Sequence, residues 1–384
     1  MILTGDSGFG HRSAANSIAK AIETHYPRQA NTVVCNPLAE SGTPFFIRKG
    51  ETDYDNNVIN HAGFYRFVYD ISNLKTTSVL IENTVALLLQ KNIQDLINRH
   101  HPEVIVTTNQ WFNAPAGAAI TKLNINLPLF TVVTDLADLH LLWFSSLPDQ
   151  YYVASDQVRR EAIENGVDAR KIAVSGIPVD PFFADDNRAK AEIKRDLGLD
   201  PGKTTLLFIG SKRVRGALPY LQSLNLVRHN FELVAIAGGD DDLFFELTQQ
   251  RWTFPIHIRN FVNNVPEWMR AADVLITKAG GLVVSEGMAA GLPMVLIDYL
   301  PGQEEGNVKF VHDRGVGILV KSTSEFERIL NELLAPASES MARYARNSRA
   351  AGHADSSIRI ATDMMEASSK PIARKMFSYW RAFN

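Results

Sequence analysis

Twice along this chain an apolar strand segment gives way to an amphipathic helix, and the two series are separated by one break. The first series runs through "MILT", "NTVVCN", "PEVIVTTN", "LPLFTVVTD", "QYYVAS" and "KIAVSGIPV". The second runs through "TTLLFIG", "FELVAIAGG", "IHIRNFV", "DVLITKAGG" and "PMVLIDY". Strands alternating with helices argue for a parallel sheet covered on both faces. The segment between the series, "GIPVDPFFADDNR", is rich in Pro and Asp and reads as a hinge. We therefore expect an α/β chain of two doubly wound, Rossmann-like domains whose strand carboxyl ends face each other across a cleft. The division expected is 1–178, 179–366 and a tail of 367–384 that packs back on the first domain. A chain of 384 residues has enough material for two such cores.

The remaining composition narrows the class. The net charge of −3 gives no overall case for nucleic acid, so none is expected as a partner. A single cysteine, Cys35, excludes an internal disulfide and a multi-cysteine metal site, which suits an intracellular protein. No apolar run approaches the roughly 18–20 residues that cross a bilayer. A glycine turn follows the first strand almost at once, so no signal peptide is expected.

That turn, "GDSGFGHRSAA", packs three glycines, Asp6, His11 and Arg12 between an apolar strand and an alanine-rich helix, "HRSAANSIAKAIETHY". In the second half, "DVLITKAGGLVVSEGMAAGLP" carries Lys278, Gly280 and Gly281 from a strand into a helix. Unpaired amides at a helix start favour an anion such as a diphosphate. Glu286, a turn further on, suits the two vicinal hydroxyls of a ribose; a plain glycine-rich turn with an exposed glutamate fits the spacing equally. "DYLPGQEEGNVKFV" gathers Gln303, Glu304, Glu305 and Asn307, groups that sugar hydroxyls require and that a polar surface loop also shows. In "RNFVNNVPEWM", Phe261 and Val262 stand at a strand end, where a base could stack or a core could use them.

Taken in order, these stretches resemble the monogalactosyldiacylglycerol synthases and the related processive diacylglycerol glucosyltransferases, and more widely the N-acetylglucosaminyltransferase of the peptidoglycan lipid precursor. "ITKAGG…SEG…GLP" with "PGQEEGN" is similar to the family's donor site, "GDSGFGHRSAA" to its N-terminal glycine turn, and "VVTDLADLHLLWF" to its Thr-Asp…His…Trp segment. The resemblance implies a GT-B fold and an inverting transfer of galactose or glucose from a UDP-sugar to diacylglycerol or another lipid acceptor. It implies no cofactor and no metal ion in the donor site. On it, Gly280 and Gly281 neutralise the diphosphate, Glu286 holds ribose, Gln303, Glu304 and Asn307 hold the hexose, and Phe261 and Val262 flank uracil. Asp6 is the expected base, with His11 as the alternative; Gly8 and Gly10 let the acceptor approach, and Asp135 and His140 line the same cleft.

The chain departs from the family at three places. In "FIGSKRVRGAL", Ser211 and Arg213 are expected at the donor, but Lys212, Arg213 and Arg215 stand where glycines are usual; a cationic loop still attracts a diphosphate. Asn109-Gln110 replace His-Pro, and Phe9 replaces glycine. Two other readings stay open: N-acetylglucosaminyl transfer to a polyprenyl-diphosphate-linked sugar, and UDP-sugar binding without turnover. An anionic membrane surface is an expected partner, met by the aromatic, basic stretch 45–69 or by the tail "SKPIARKMFSYWRAFN", which places the protein in the cytoplasm, peripheral on the inner face of the cell membrane.

Overall fold

Strand segments flanked by helical ones bury both faces when they pair in parallel, and the apolar runs of this chain do so in two sheets. The computed structural model describes residues 1–6, 9–43 and 73–369. The first sheet is built from β1 (Ile2–Leu3), β2 (Val34–Cys35), β3 (Ile105–Thr107), β4 (Leu129–Val132), β5 (Gln150–Val153) and β6 (Ile172–Val174), in the order β2-β1-β3-β4-β5-β6. The second contains β7 (Thr204–Ile209), β8 (Phe231–Ile236), β9 (Ile256–Arg259), β10 (Val274–Lys278), β11 (Met294–Asp298) and β12 (Gly317–Leu319), ordered β12-β11-β10-β7-β8-β9. All pairings are parallel, with Leu3 opposite Thr107 and Phe208 opposite Ile276. Full burial of β3, β4 and β8 explains why their sequences are continuously apolar rather than alternating.

Strand order changes direction between β1 and β3 in the first sheet and between β7 and β10 in the second. Ligands of open α/β sheets bind outside the carboxyl ends at such points. Helix α1 (Phe9–His25) follows β1 on one face of the first sheet, where Ile18 and Ile22 pack with Ile2, Val106 and Val132. On the other face α2 (Lys75–His100) and α3 (Asn113–Leu123) enclose Leu89, Ile93, Leu96 and Phe112. The periodicity of α3 is hidden by its small residues and by Pro115, which is tolerated in a first helical turn. Strand β12 is likewise too short to stand out.

The chain crosses between lobes at two adjacent places. Residues 176–180 lead into the hinge, where Lys20 Nζ donates to Asp180 at 2.8 and 2.9 Å. The last described helix, α14 (Ser356–Ser369), returns to the first lobe: Ile360, Ala361 and Met364 enter its core, Tyr26 donates to Thr362 at 2.8 Å and Tyr152 to Asp363 at 2.9 Å. Ser356 ties the crossings together, donating to Ile177 O at 3.0 Å and accepting from Val179 N at 3.1 Å. A further apolar cluster is continuous from Leu136, Leu139 and Ile177 into Val284 and Phe310, so the lobes share part of their core.

Candidate active site between the lobes

Asp6 lies at the carboxyl end of β1 with about half of its side chain exposed, 53%. Arg12, one helical turn on, donates to Oδ1 through Nε at 2.7 Å and pairs with it through Nη2, and Asn36 Nδ2 donates to Oδ2 at 2.7 Å. Side chains from two different elements thus fix the carboxylate plane.

His11 is half-buried on the first turn of α1. Its Nδ1 lies 2.9 Å from the carbonyl of Thr108, just past β3, and 2.8 Å from the hydroxyl of Thr134, just past β4. A carbonyl only accepts, so the hydrogen sits on Nδ1 and Nε2 carries a free lone pair. Burial holds the imidazolium down to about 4, and the Arg213 guanidinium, reaching over from the second lobe, adds to that. His11 is therefore neutral near pH 7. Trp143 packs with its ring centroid 6.2 Å from that of His11 and donates through Nε1 to Asp135 at 2.9 Å. Burial lifts Asp135 to about 6, with Trp143 opposing and Glu304 assisting the rise. His140 meets the backbone. Its Nδ1 accepts from Leu142 N at 3.2 Å and caps the short turn 141–143, and burial holds the ring down to about 4.

Across the cleft, α10 (Gly281–Ala289) starts directly after β10. Its first turn faces that of α1, for a Cβ on Gly10 would lie 4.0 Å from Cβ of Leu282. Two positive helix ends thus point into one space. Thr277 Oγ1 donates to Ile209 O at 3.0 Å and locks β10 to β7 at the switch point. The loop after β7 carries Ser211, which accepts from Arg213 N at 3.3 Å, and Arg213. Gly238, at φ +70°, must be glycine, because a Cβ would lie 2.1 Å from Gly210 O.

Glu286 is 9% exposed, and burial raises it to about 8, with Asp180 contributing. Among the described residues its carboxyl group has no hydrogen-bond partner. Glu304 is ion-paired with Lys278 and accepts from Leu300 N at 2.8 Å, on the turn that also bears the half-buried Gln303. Asn307 is buried, with both ends of its amide bonded. Phe261 is 62% exposed beyond β9, beside the 238–239 turn, whose Gly239 N donates to Asn260 O at 3.0 Å; Val262 is half-buried against the shared core. Gly8 lies outside the described residues, as do the stretch 45–69 and the basic tail. Asp6, Gly10, His11, Asp135, Arg213, Lys278, Gly280, Gly281 and Glu304 are brought to one cleft. Arg12 stands in the glycine turn singled out above, whereas Asn36, Thr108 and Thr134 escape sequence reasoning; of these three only Thr134 has a signal, standing beside Asp135 in the Thr-Asp pair.

Residues 11–179 match the family model of monogalactosyldiacylglycerol (MGDG) synthase, and residues 211–360 match the glycosyltransferase family 28 C-terminal domain. The chain thus carries an MGDG synthase domain match followed by a glycosyltransferase family 28 C-terminal domain match. Among curated relatives, the chloroplastic monogalactosyldiacylglycerol synthase of Spinacia oleracea is 29% identical over 98% of this chain and 74% of its own length. Monogalactosyldiacylglycerol synthase 1 of Arabidopsis thaliana is 29% identical over 95% of this chain and 70% of its own. Among solved structures, MurG of Acinetobacter baumannii superposes with a TM-score of 0.59 at 16% identity, covering 95% of this chain and 98% of its own. The S. aureus MnaA–UDP complex reaches 0.62 at 13% identity over 99% of both chains, and the Anabaena HepE–UDP-glucose complex 0.55 at 15% over 96% and 98%. At these identities the structural likeness shows the GT-B fold alone. Each family match falls on one lobe, and the two lobes meet at the residues described above.

Proposed function

We infer that this chain is a UDP-sugar-dependent hexosyltransferase that makes a glycolipid from diacylglycerol, with inversion at the sugar. The observation that carries it is the pair of family matches, one per lobe and in order, converging on a single cleft. In the reaction an acceptor hydroxyl attacks the anomeric carbon from the side opposite UDP. The new C–O bond forms as the bond to the diphosphate breaks, and the hydroxyl proton passes to a base. We assign the base to Asp6, whose carboxylate is oriented by Arg12 and Asn36 at the carboxyl end of β1. We assign His11, neutral with Nε2 unprotonated, to contact with the acceptor. The departing diphosphate is met by the amides at the start of α10 together with Lys278, Ser211 and Arg213, so that we place charge neutralisation on the protein rather than on a resident metal ion. Glu286 takes the ribose hydroxyls, Gln303 and Glu304 the hexose, and the exposed ring of Phe261 beside Val262 the uracil. Galactose is favoured over glucose by the names of the relatives. Diacylglycerol resides in the bilayer and, among the described residues, no helix is long and apolar enough to cross a membrane, which supports peripheral attachment, here placed on the cytoplasmic face of the cell membrane.

The test is incubation of the purified protein with radiolabelled UDP-galactose or UDP-glucose and diacylglycerol vesicles. Labelled lipid is expected, and Asp6→Asn is expected to abolish it with UDP affinity intact. UDP-sugar binding without transfer to any lipid would overturn the assignment, and equal loss of transfer and UDP binding in Asp6→Asn would make Asp6 structural.

A further inference from the structure

Asn307 is 1% exposed, and its amide is bonded on both sides of the cleft. Nδ2 donates to Ala279 O in the second lobe at 2.9 Å, and Oδ1 accepts from Leu136 N in the first at 3.3 Å. Two glycines flank it where the first lobe's backbone presses in. A Cβ on Gly306 would lie 2.9 Å from Ala137 O and 2.8 Å from Asp138 Oδ2; one on Gly281 would lie 2.8 Å from Thr134 O. The loop 134–138 is thus seated in a socket formed by Gly281, Gly306 and Asn307. The same loop carries the hydroxyl that bonds His11 and the carboxyl that bonds Trp143. Its own lobe holds it too, since Glu161 accepts from Asp138 N and Leu139 N at 3.4 and 3.2 Å.

We propose that Asn307 is an interlobe pin rather than a hexose ligand: it seats the loop 134–138 in the donor lobe and, through Thr134, positions His11 on the acceptor side. The amide keeps one N–H and one lone pair, but at 1% exposure a hexose hydroxyl could reach them only by parting the interlobe packing that buries them. Gly306 and Gly281 are glycines because the socket has no room for a side chain. Asn307 is therefore a positioning residue.

The kinetic arm of the test rests on the transferase reading above; the other arms do not. Asn307→Ala and Gly306→Ala are compared with the wild type for kcat, KM for the UDP-sugar, UDP affinity by calorimetry, and the NMR titration of His11. Gly306 has no side chain with which to bind sugar, so an effect of its replacement reports on seating alone. In both variants kcat is expected to fall roughly 100-fold, the scale of a misplacement of about 1 Å, with KM and UDP affinity unchanged. Parting the lobes admits water and withdraws Arg213, so His11 is expected to titrate above about 4, towards 6.5. A raised KM with kcat retained in Asn307→Ala, beside a wild-type Gly306→Ala, would return Asn307 to the sugar. If the wild type transfers no hexose, the transferase reading fails, and the pin is then decided by His11: a titration unchanged from the wild type in both variants overturns it.

Discussion

Glu286 is buried with no hydrogen-bond donor among the described residues, and so holds a proton near neutral pH. Two ribose hydroxyls would supply the missing donors and favour the charged form. UDP binding at pH 7 is thus expected to release a proton, seen in calorimetry as a binding enthalpy that varies with buffer ionisation, and Glu286→Gln should abolish that variation. A binding enthalpy indifferent to buffer would mean that Glu286 does not meet the ribose. The same shift bears on stability. With its folded value near 8 above an ordinary 4.5, the stabilisation is full below 4.5 and is lost as pH rises through 8. His11 works in the opposite sense: its folded value near 4 lies below 6.5, so the unfolded chain takes up the proton first and stability falls as pH drops from 6.5 towards 4. The carboxylates and glycines of these sites were legible in the sequence because they stand in fixed spacing along one turn. The partners of Asp6 and His11 were not, because Asn36, Thr108 and Thr134 come from three other strand ends.

Helices α1 and α10 owe their importance to where they start. Each begins at the carboxyl end of a strand beside a switch point, so their exposed amides face one cleft. Both were readable from a glycine turn followed by helical spacing. Helix α3 was not, because its packing rests on small residues: a Cβ on Gly117 would lie 2.6 Å from Leu147. The position of α14 was equally hidden, since its amphipathic pattern says that a face is buried but not against what. In the fold that face lies on the first lobe, with Ile360 and Ala361 fully buried. Ile360→Ala is expected to cost about 2–5 kcal/mol, measured as a lower denaturant midpoint with unchanged slope. A change within a few tenths of a kcal/mol would show that the return helix adds little to the first lobe.

At the scale of the whole molecule, an enzyme that draws diacylglycerol from a bilayer must approach an interface. The segments expected to do so, 45–69 and the basic aromatic tail, lie outside the described residues. Sedimentation with vesicles is expected to rise with their anionic lipid content and to weaken with salt, since screening acts within about 10 Å at 0.1 M. Deleting residues 370–384 separates the two segments: retained binding assigns contact to 45–69, and binding indifferent to salt and lipid charge would remove the electrostatic part of the proposal. The amino-acid sequence by itself determined the two doubly wound sheets, the hinge and the glycine turns, because hydrophobic period and backbone freedom are local properties. Only the tertiary structure decided which groups share a hydrogen bond across the cleft. Asn307 reads as a sugar ligand in a polar turn, yet it is bonded to a loop 171 residues away in the other lobe. Such a contact depends on how two separately folded sheets come together, and no spacing along one chain segment encodes it.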